Sequence, residues 1–262
     1  MAKGRVPWAL MVAGHPRSGT TMLVQLCNTH PEIRVANEYR AFLSLGRPLP
    51  IYARTLHRPR RYDLVPRSGR APKHPALRNL DLHMRFVARL LPHARRVELE
   101  HVTKALAALW PSTRVVGDKV PRYLKLMRRV AGHERLKRVV IYRDCRDVVQ
   151  STLARAERDW GDARWVASGD VAAVTGHWLK AMRRVEGLDN GVHVIRYEDF
   201  VADPVAGAGA LANYLGVDTS GFDTSVIRRS SAGKWRQALT GEQVAAIEAA
   251  AGERLAAWGY GR

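Results

Sequence analysis

Along this chain, short apolar runs alternate with longer stretches in which apolar residues recur every three or four positions. The short runs are residues 8–13, 114–116, 138–142 and 192–196. Their length and β-branched content predict buried strands. Between them, residues 97–110 place Val102, Leu106 and Leu109 on one helical face. Residues 148–158 and 171–188 have the same period. Residues 239–260 predict a last helix, with Thr240 as N-cap and Glu242 and Gln243 in its first turn. Strands alternating with helices imply a parallel sheet with helices on both faces. Ligands of such sheets bind beyond the carboxyl ends of the strands.

The chain has 262 residues, 46% of them hydrophobic, which suits a single domain spanning residues 1–262. One stretch breaks the pattern. Gly46–Pro75 is rich in Pro and Arg, with Arg58, Arg60, Arg61, Arg67, Arg70 and Lys73 against Asp63 alone. It reads as no regular core element. It is either a mobile loop or lid near a substrate site, or a plain surface excursion. No apolar run approaches the length of a membrane span. The two cysteines, Cys27 and Cys145, lie far apart without metal-ligand spacing, which fits a reducing, cytoplasmic setting. The formal net charge is +19. That charge fits an anionic substrate drawn in by the field, a nucleic acid, or simply an arginine-rich solvated surface. The sequence has no zinc-finger spacing, RNP-type motif or clear helix-turn-helix, which argues against nucleic acid.

The most specific signal is Gly14-His15-Pro16-Arg17-Ser18-Gly19-Thr20-Thr21, directly after the first apolar run and before a helix-like segment at residues 22–29. Loop amides and a helix N-terminus at such a junction converge on an anion. The order is close to the nucleotide-triphosphatase loop G-x-x-x-x-G-K-[ST]. Here Thr20 stands where that loop has its Lys, and the cation, Arg17, lies inside the loop. The bound anion is therefore not expected to be the β/γ-phosphate pair of ATP. These features set the expected fold class: α/β, a P-loop-like parallel β-sheet flanked by helices on both faces.

A second strand-to-helix junction runs from Val139 to Ser151. Arg143 leaves the strand end, Asp144 or Asp147 favours the first helical turn, and Ser151 follows. An arginine fork with a hydroxyl suits a dianionic phosphate. Taken alone, the segment also reads as a surface helix start with ordinary i,i+4 charge pairs. Asp144 is the one candidate here for a metal-binding carboxylate, and Arg143 beside it argues against Mg²⁺.

Together, the cradle, the His30-Pro31-Glu32 segment after its helix and the second junction resemble the sulfotransferases that use 3′-phosphoadenosine 5′-phosphosulfate (PAPS). The motifs are most similar to those of protein-tyrosine sulfotransferases and their bacterial relatives. The resemblance implies PAPS as co-substrate and no metal. It implies that Arg17 and the amides of Ser18, Gly19, Thr20 and Thr21 hold the 5′-phosphosulfate. It assigns Arg143 and Ser151, eight residues apart, and Arg155 to the 3′-phosphate. Tyr197, at a strand end before Glu198-Asp199, inherits contact with the adenine end, although a core aromatic is the plainer reading. Arg229, Ser230 and Lys234, in a segment of small residues and cations, correspond to a clamp over the nucleotide.

The resemblance also implies a base. Glu38 matches the second Glu of a Glu-Glu-Thr-Arg segment in the tyrosine enzymes, and Asn37 replaces the first. Small-molecule sulfotransferases instead place a His after a Lys. In Gly117-Asp118-Lys119-Val120-Pro121 the Lys is kept and Pro121 stands at the His position. Glu38 is thus the expected general base and Lys119 the group that stabilises the sulfuryl and bridging oxygens, with Arg17 assisting. A solvated Glu38 paired with Arg40 is the ordinary alternative, and His15 is a rival base. His30 reads as a helix end.

The function expected is transfer of a sulfuryl group to a hydroxyl on a peptide tyrosine, a carbohydrate or a small metabolite, leaving 3′,5′-ADP. The positive charge and Arg40 favour an acidic acceptor. Two other classes stay open: a P-loop kinase-like phosphotransferase using ATP and Mg²⁺, and a basic, non-catalytic binding module on a sulfotransferase fold. The second predicts salt-dependent binding without turnover.

Overall fold

The computed structural model describes residues 7–56, 75–158, 170–228 and 232–261. The chain opens with β1 (Trp8–Gly14), the cradle loop and α1 (Thr20–Thr29), and continues through β2 (Ile33–Asn37). Three helices follow: α2 (Leu49–Thr55), α3 (Pro75–Leu90) and α4 (Leu99–Leu109). Then come β3 (Val115–Lys119), a 3-10 turn at Pro121–Lys125, β4 (Leu136–Tyr142), α5 (Cys145–Arg158) and α6 (Val171–Glu186). The last part holds β5 (Val192–Arg196), α7 (Tyr197–Ala202), α8 (Pro204–Leu215), α9 (Trp235–Ala238) and α10 (Gly241–Ala257).

The five strands form one parallel sheet in the order β2-β3-β1-β4-β5. β1 is central, and Ala9 to Ala13 are fully buried, as expected of a parallel strand covered on both faces. Alternate residues serve the two layers. Ala9, Met11 and Ala13 pack with Phe86 of α3 and Val102 and Leu106 of α4. Leu10 and Val12 pack with Leu23 and Leu26 of α1 and Leu211 of α8. The register sets Val12 and Asn37 beside Lys119, Gly14 beside Ile141, and Tyr142 beside Arg196. The carboxyl ends of all five strands therefore share one edge, and the predicted site residues lie at or just beyond it. Among the described residues, no helix is long and apolar enough to cross a membrane.

The predicted strands and helices are present, with shifted ends. β3 runs on through Gly117, Asp118 and Lys119, where apolar patterning had stopped, because both charged side chains are buried there. α5 starts at Cys145, and Thr240 caps α10 in a reciprocal capping box with Gln243. The expectation that Gly46–Pro75 holds no regular core element is corrected at its first end. Leu49–Thr55 is helical, and Leu49, Tyr52 and the following Leu56 are buried. Pro48 and Pro50 stand at the start of that helix, where a missing amide costs nothing. Residues 57–74, which carry most of the loop or lid expectation, lie outside the described residues. The α3 helix was not anticipated. Its buried positions Leu82, Phe86 and Leu90 recur every four residues but are diluted by arginines.

Gly117 sits where β3 meets β1 most closely. A Cβ there would lie 2.3 Å from the Leu10 carbonyl oxygen, which is backbone and cannot swing away. Gly117→Ala is expected to cost about 2 kcal/mol and to lower Tm by roughly 5 °C in calorimetric unfolding. An unchanged Tm would show that the two strands are not in this contact.

Candidate active site

The cradle is a strand-to-helix turn closed on itself. The Ser18 amide donates to the His15 carbonyl at 3.2 Å, and the Leu23 amide makes the first helical rung to the Gly19 carbonyl at 3.1 Å. The amides of Thr20, Thr21 and Met22 therefore precede the helical ladder, and no acidic residue stands in that first turn to meet them. Arg17 and Gly19 are both left-handed, at φ 70° and 92°. Gly19 has a second reason to lack a side chain, since a Cβ would lie 2.5 Å from the Tyr197 ring. The Ser18 hydroxyl is buried and has no hydrogen-bond partner.

The ends of β4 and β5 bring further groups to this loop. Arg143 is buried, and its Nη1 donates to the Arg17 carbonyl at 3.2 Å while Nη2 lies 3.3 Å from the Asp147 carboxylate. Its guanidinium also sits 4.5 Å from the centre of the Tyr197 ring. The Arg17 Nε donates to the Ser151 hydroxyl at 3.0 Å. Behind them, the Trp178 indole donates to the Arg143 carbonyl at 2.9 Å and fixes the strand end from α6. Asp147 accepts from the Gly233 and Trp235 amides at 2.7 and 3.1 Å, so the C-terminal segment is tied to the same arginine.

These residues enclose a cavity of about 610 Å³. Arg17, Gly19, Thr20, Thr21, Arg143, Ser151, Tyr197 and Lys234 all line it. Gln150 and Glu157 of α5 line it as well and were not singled out from the sequence. Their place one residue before Ser151 and one and a half turns after it was the available signal. Arg155, half-buried on α5, is not in the lining, and Arg229 and Ser230 lie outside the described residues. Asp144 is engaged by Arg146 at 2.8 Å.

On the other side of β1, Lys119 is 1% exposed, and its Nζ donates to Glu38 Oε1 at 2.8 Å and to Thr21 Oγ1 at 3.4 Å. Glu38 is not paired with Arg40 as the ordinary reading had it. It is a third exposed and held to Lys119. Its amide also donates to the Lys119 carbonyl at 2.7 Å. The turn after β2 is strained, with Glu38 at φ 59° and Arg40 at φ 71°. Asp118 holds that strain. Its carboxylate accepts from the Tyr39 amide at 3.1 Å, the Ala41 amide at 2.9 Å and the Tyr123 hydroxyl at 2.5 Å. Burial pushes its pKa up to about 6, against the opposing pull of those hydrogen bonds and of Lys119. Sequence reasoning missed Asp118. The signal was an acid immediately before Lys119, inside a run that the sheet had to bury.

His15 stands apart from this cluster. Its Nδ1 donates to the Pro16 carbonyl at 2.7 Å, and the ring lines a neighbouring cavity with His177. Loss of solvent pushes its pKa down to about 4 against that hydrogen bond, and His177 adds like-charge repulsion. His30 is buried after α1, hydrogen-bonded to the Asp218 carbonyl at 2.8 Å and accepting from the Glu32 amide, as a helix end.

Residues 9–221 match the family model described as the Sulfotransferase family. Among solved structures, the chain is similar to the sulfotransferase domain from the Synechococcus PCC 7002 olefin synthase. The identity is 19%, the TM-score 0.58, and the match covers 95% of this chain and 96% of that one. The sulfotransferase domain from the curacin biosynthetic pathway is similar at 17% identity and TM-score 0.60, over 94% of this chain and 98% of that one. At these identities the likeness is one of fold. No protein of curated function matches the sequence.

The Asp118 network has a pH signature. Its folded-state pKa of about 6 lies above the ordinary 3.8, so the folded chain binds this proton more tightly than the unfolded one. That contribution to stability is fully present below about 3.8 and is lost as pH rises through about 6. In urea unfolding, Asp118→Asn is expected to remove this downward slope between those two pH values. An identical slope in the variant would show that Asp118 titrates elsewhere.

Proposed function

Because the chain belongs to the sulfotransferase family, we propose that it moves a sulfuryl group from PAPS to an acceptor hydroxyl, with Glu38 as general base. The observation that carries this reading is the contact of Lys119 with both Glu38 and Thr21. It joins the candidate base to the first turn of the cradle helix through one buried cation.

The cradle suits the phosphosulfate end of that donor. The amides of its first helical turn precede the helical ladder, and the Ser18 hydroxyl has no hydrogen-bond partner among the described residues, so both can donate to an anion, and Arg17 adds positive charge beside them. Arg143 and Ser151, which line the same cavity, suit a second phosphate, and Tyr197 offers its ring to the base. Lys234 stands exposed at the rim of that cavity, where it adds a cation over the nucleotide. Arg155, with Arg229 and Ser230, retains the phosphate and clamp roles that the family resemblance implies.

PAPS supplies an activated sulfuryl group, and its transfer leaves 3′,5′-ADP. Glu38, a third exposed, is reachable by an acceptor and takes the proton of its hydroxyl. Lys119 has three N–H donors. It holds Glu38 in place, and it presents positive charge where negative charge develops on the transferring oxygens. Arg17 and the helix N-terminus do the same from the opposite side. Such catalysis is mostly positioning and electrostatic stabilisation.

A kinase-like reading draws less support. Thr20 occupies the lysine position of the nucleotide-triphosphatase loop, and the carboxylate of Asp144 is taken by Arg146. A non-catalytic module gives no account of the strained Glu38 turn.

Glu38→Gln is expected to lower kcat by about 10²–10⁴-fold while 3′,5′-ADP affinity stays within a factor of about two. Single-turnover assays with PAPS and equilibrium titration separate the two effects. Turnover at the wild-type rate would place the base elsewhere.

A further inference from the structure

The cradle loop has two sides. Arg17 lines the donor cavity, whereas the two residues before it, His15 and Pro16, line a second cavity of about 590 Å³. The second cavity lies between the 3-10 turn that follows Lys119 and the face of α6. Among the described residues, none lines both cavities. An acceptor in the second cavity would meet the reaction from the side of Lys119, since Pro121 in its wall is two residues beyond that lysine.

The lining of this second cavity is one-sided in charge. Arg122 and Lys125 stand three apart on the 3-10 turn, and His177, Lys180 and Arg184 stand at i, i+3 and i+7 on one face of α6. No carboxylate is in the lining among the described residues. Among the described residues, Arg122, Lys125, Lys180 and Arg184 have no ion pair, although Arg184 donates to the Lys180 carbonyl of its own helix. Two rows of cations facing one cavity give it a positive potential that favours an anion between them. Pro16, Pro121 and Leu124 leave a small apolar wall at the end nearest the loop.

We propose that this second cavity is the acceptor site and that the acceptor carries an anionic group, a carboxylate, phosphate or sulfate, seated between Arg122, Lys125, Lys180 and Arg184. The inference rests on the sulfotransferase reading and narrows it. The hydroxyl is presented at the loop end, by Pro16 and Pro121, and the anion lies at the far end among the cations.

The test uses two probes of the same shape, 4-hydroxyphenylacetate and its neutral amide, titrated into protein saturated with 3′,5′-ADP. The acid is expected to bind at least about tenfold more tightly than the amide. In Lys125→Gln/Lys180→Gln that preference should vanish while 3′,5′-ADP affinity is unchanged, which also shows the variant to be folded. Equal binding of the two probes, binding of neither, or a preference that survives the double substitution would overturn the proposal. Failure of the wild-type protein to bind 3′,5′-ADP at all is a separate result, and it would overturn the sulfotransferase reading beneath it.

Discussion

A buried ammonium at the end of a central strand is the constraint on which the site depends. Lys119 is 1% exposed, and an unpaired charge so placed costs several kcal/mol. The chain meets that cost by bringing Glu38 from the end of β2 and Thr21 from the start of α1 to the same nitrogen. Sheet register makes this possible, since Lys119 lies level with Val12 of β1 and Asn37 of β2. A contact that the fold needs for its own stability thus also aligns a carboxylate with an anion cradle. Asp118, one residue earlier and on the other face of β3, locks the turn that presents that carboxylate. Adjacent residues of one strand therefore supply the charge at the site and the support behind it.

The opposite side of the cradle follows the same logic with the signs arranged differently. Arg17 and Arg143 are brought together by a hydrogen bond from one guanidinium to the other residue's backbone, and the Asp147 carboxylate lies 3.3 Å from Arg143. Left-handed backbone at Arg17, Glu38 and Arg40 is held in place by hydrogen bonds and packing around it. Strain of this kind is tolerable where the surroundings over-determine the conformation. Here Asp118 does so after β2, and the Arg143 guanidinium does so at the Arg17 carbonyl. The amides of the first helical turn and the Ser18 hydroxyl, which have no hydrogen-bond partner among the described residues, are the donors that the proposed anionic co-substrate would meet.

Much of this was legible in the sequence because it is local. The cradle order, the strand ends and the Arg143–Ser151 spacing are properties of short segments, and the structure brings Arg17, Arg143, Ser151 and Tyr197 to one cavity. What was not legible depends on pairing across the chain. Asp118 reads as a polar break in β3 until its partners at Tyr39, Ala41 and Tyr123 are known. Glu38 has a near neighbour of opposite charge in Arg40, yet its partner comes from Lys119, 81 residues away. The α2 helix hid behind its prolines, and the α3 helix behind its arginines. The second cavity could not be read at all, because its two rows of cations meet only when α6 folds back over the 3-10 turn.

Calorimetric titration with 3′,5′-ADP, set beside 5′-AMP and ATP–Mg²⁺, tests the central claim most directly, because only the proposed donor site needs both phosphate positions. The account predicts selective binding of 3′,5′-ADP, weakened by at least about tenfold in Arg143→Ala. Tighter binding of ATP–Mg²⁺, or indifference to the 3′-phosphate, would contradict it.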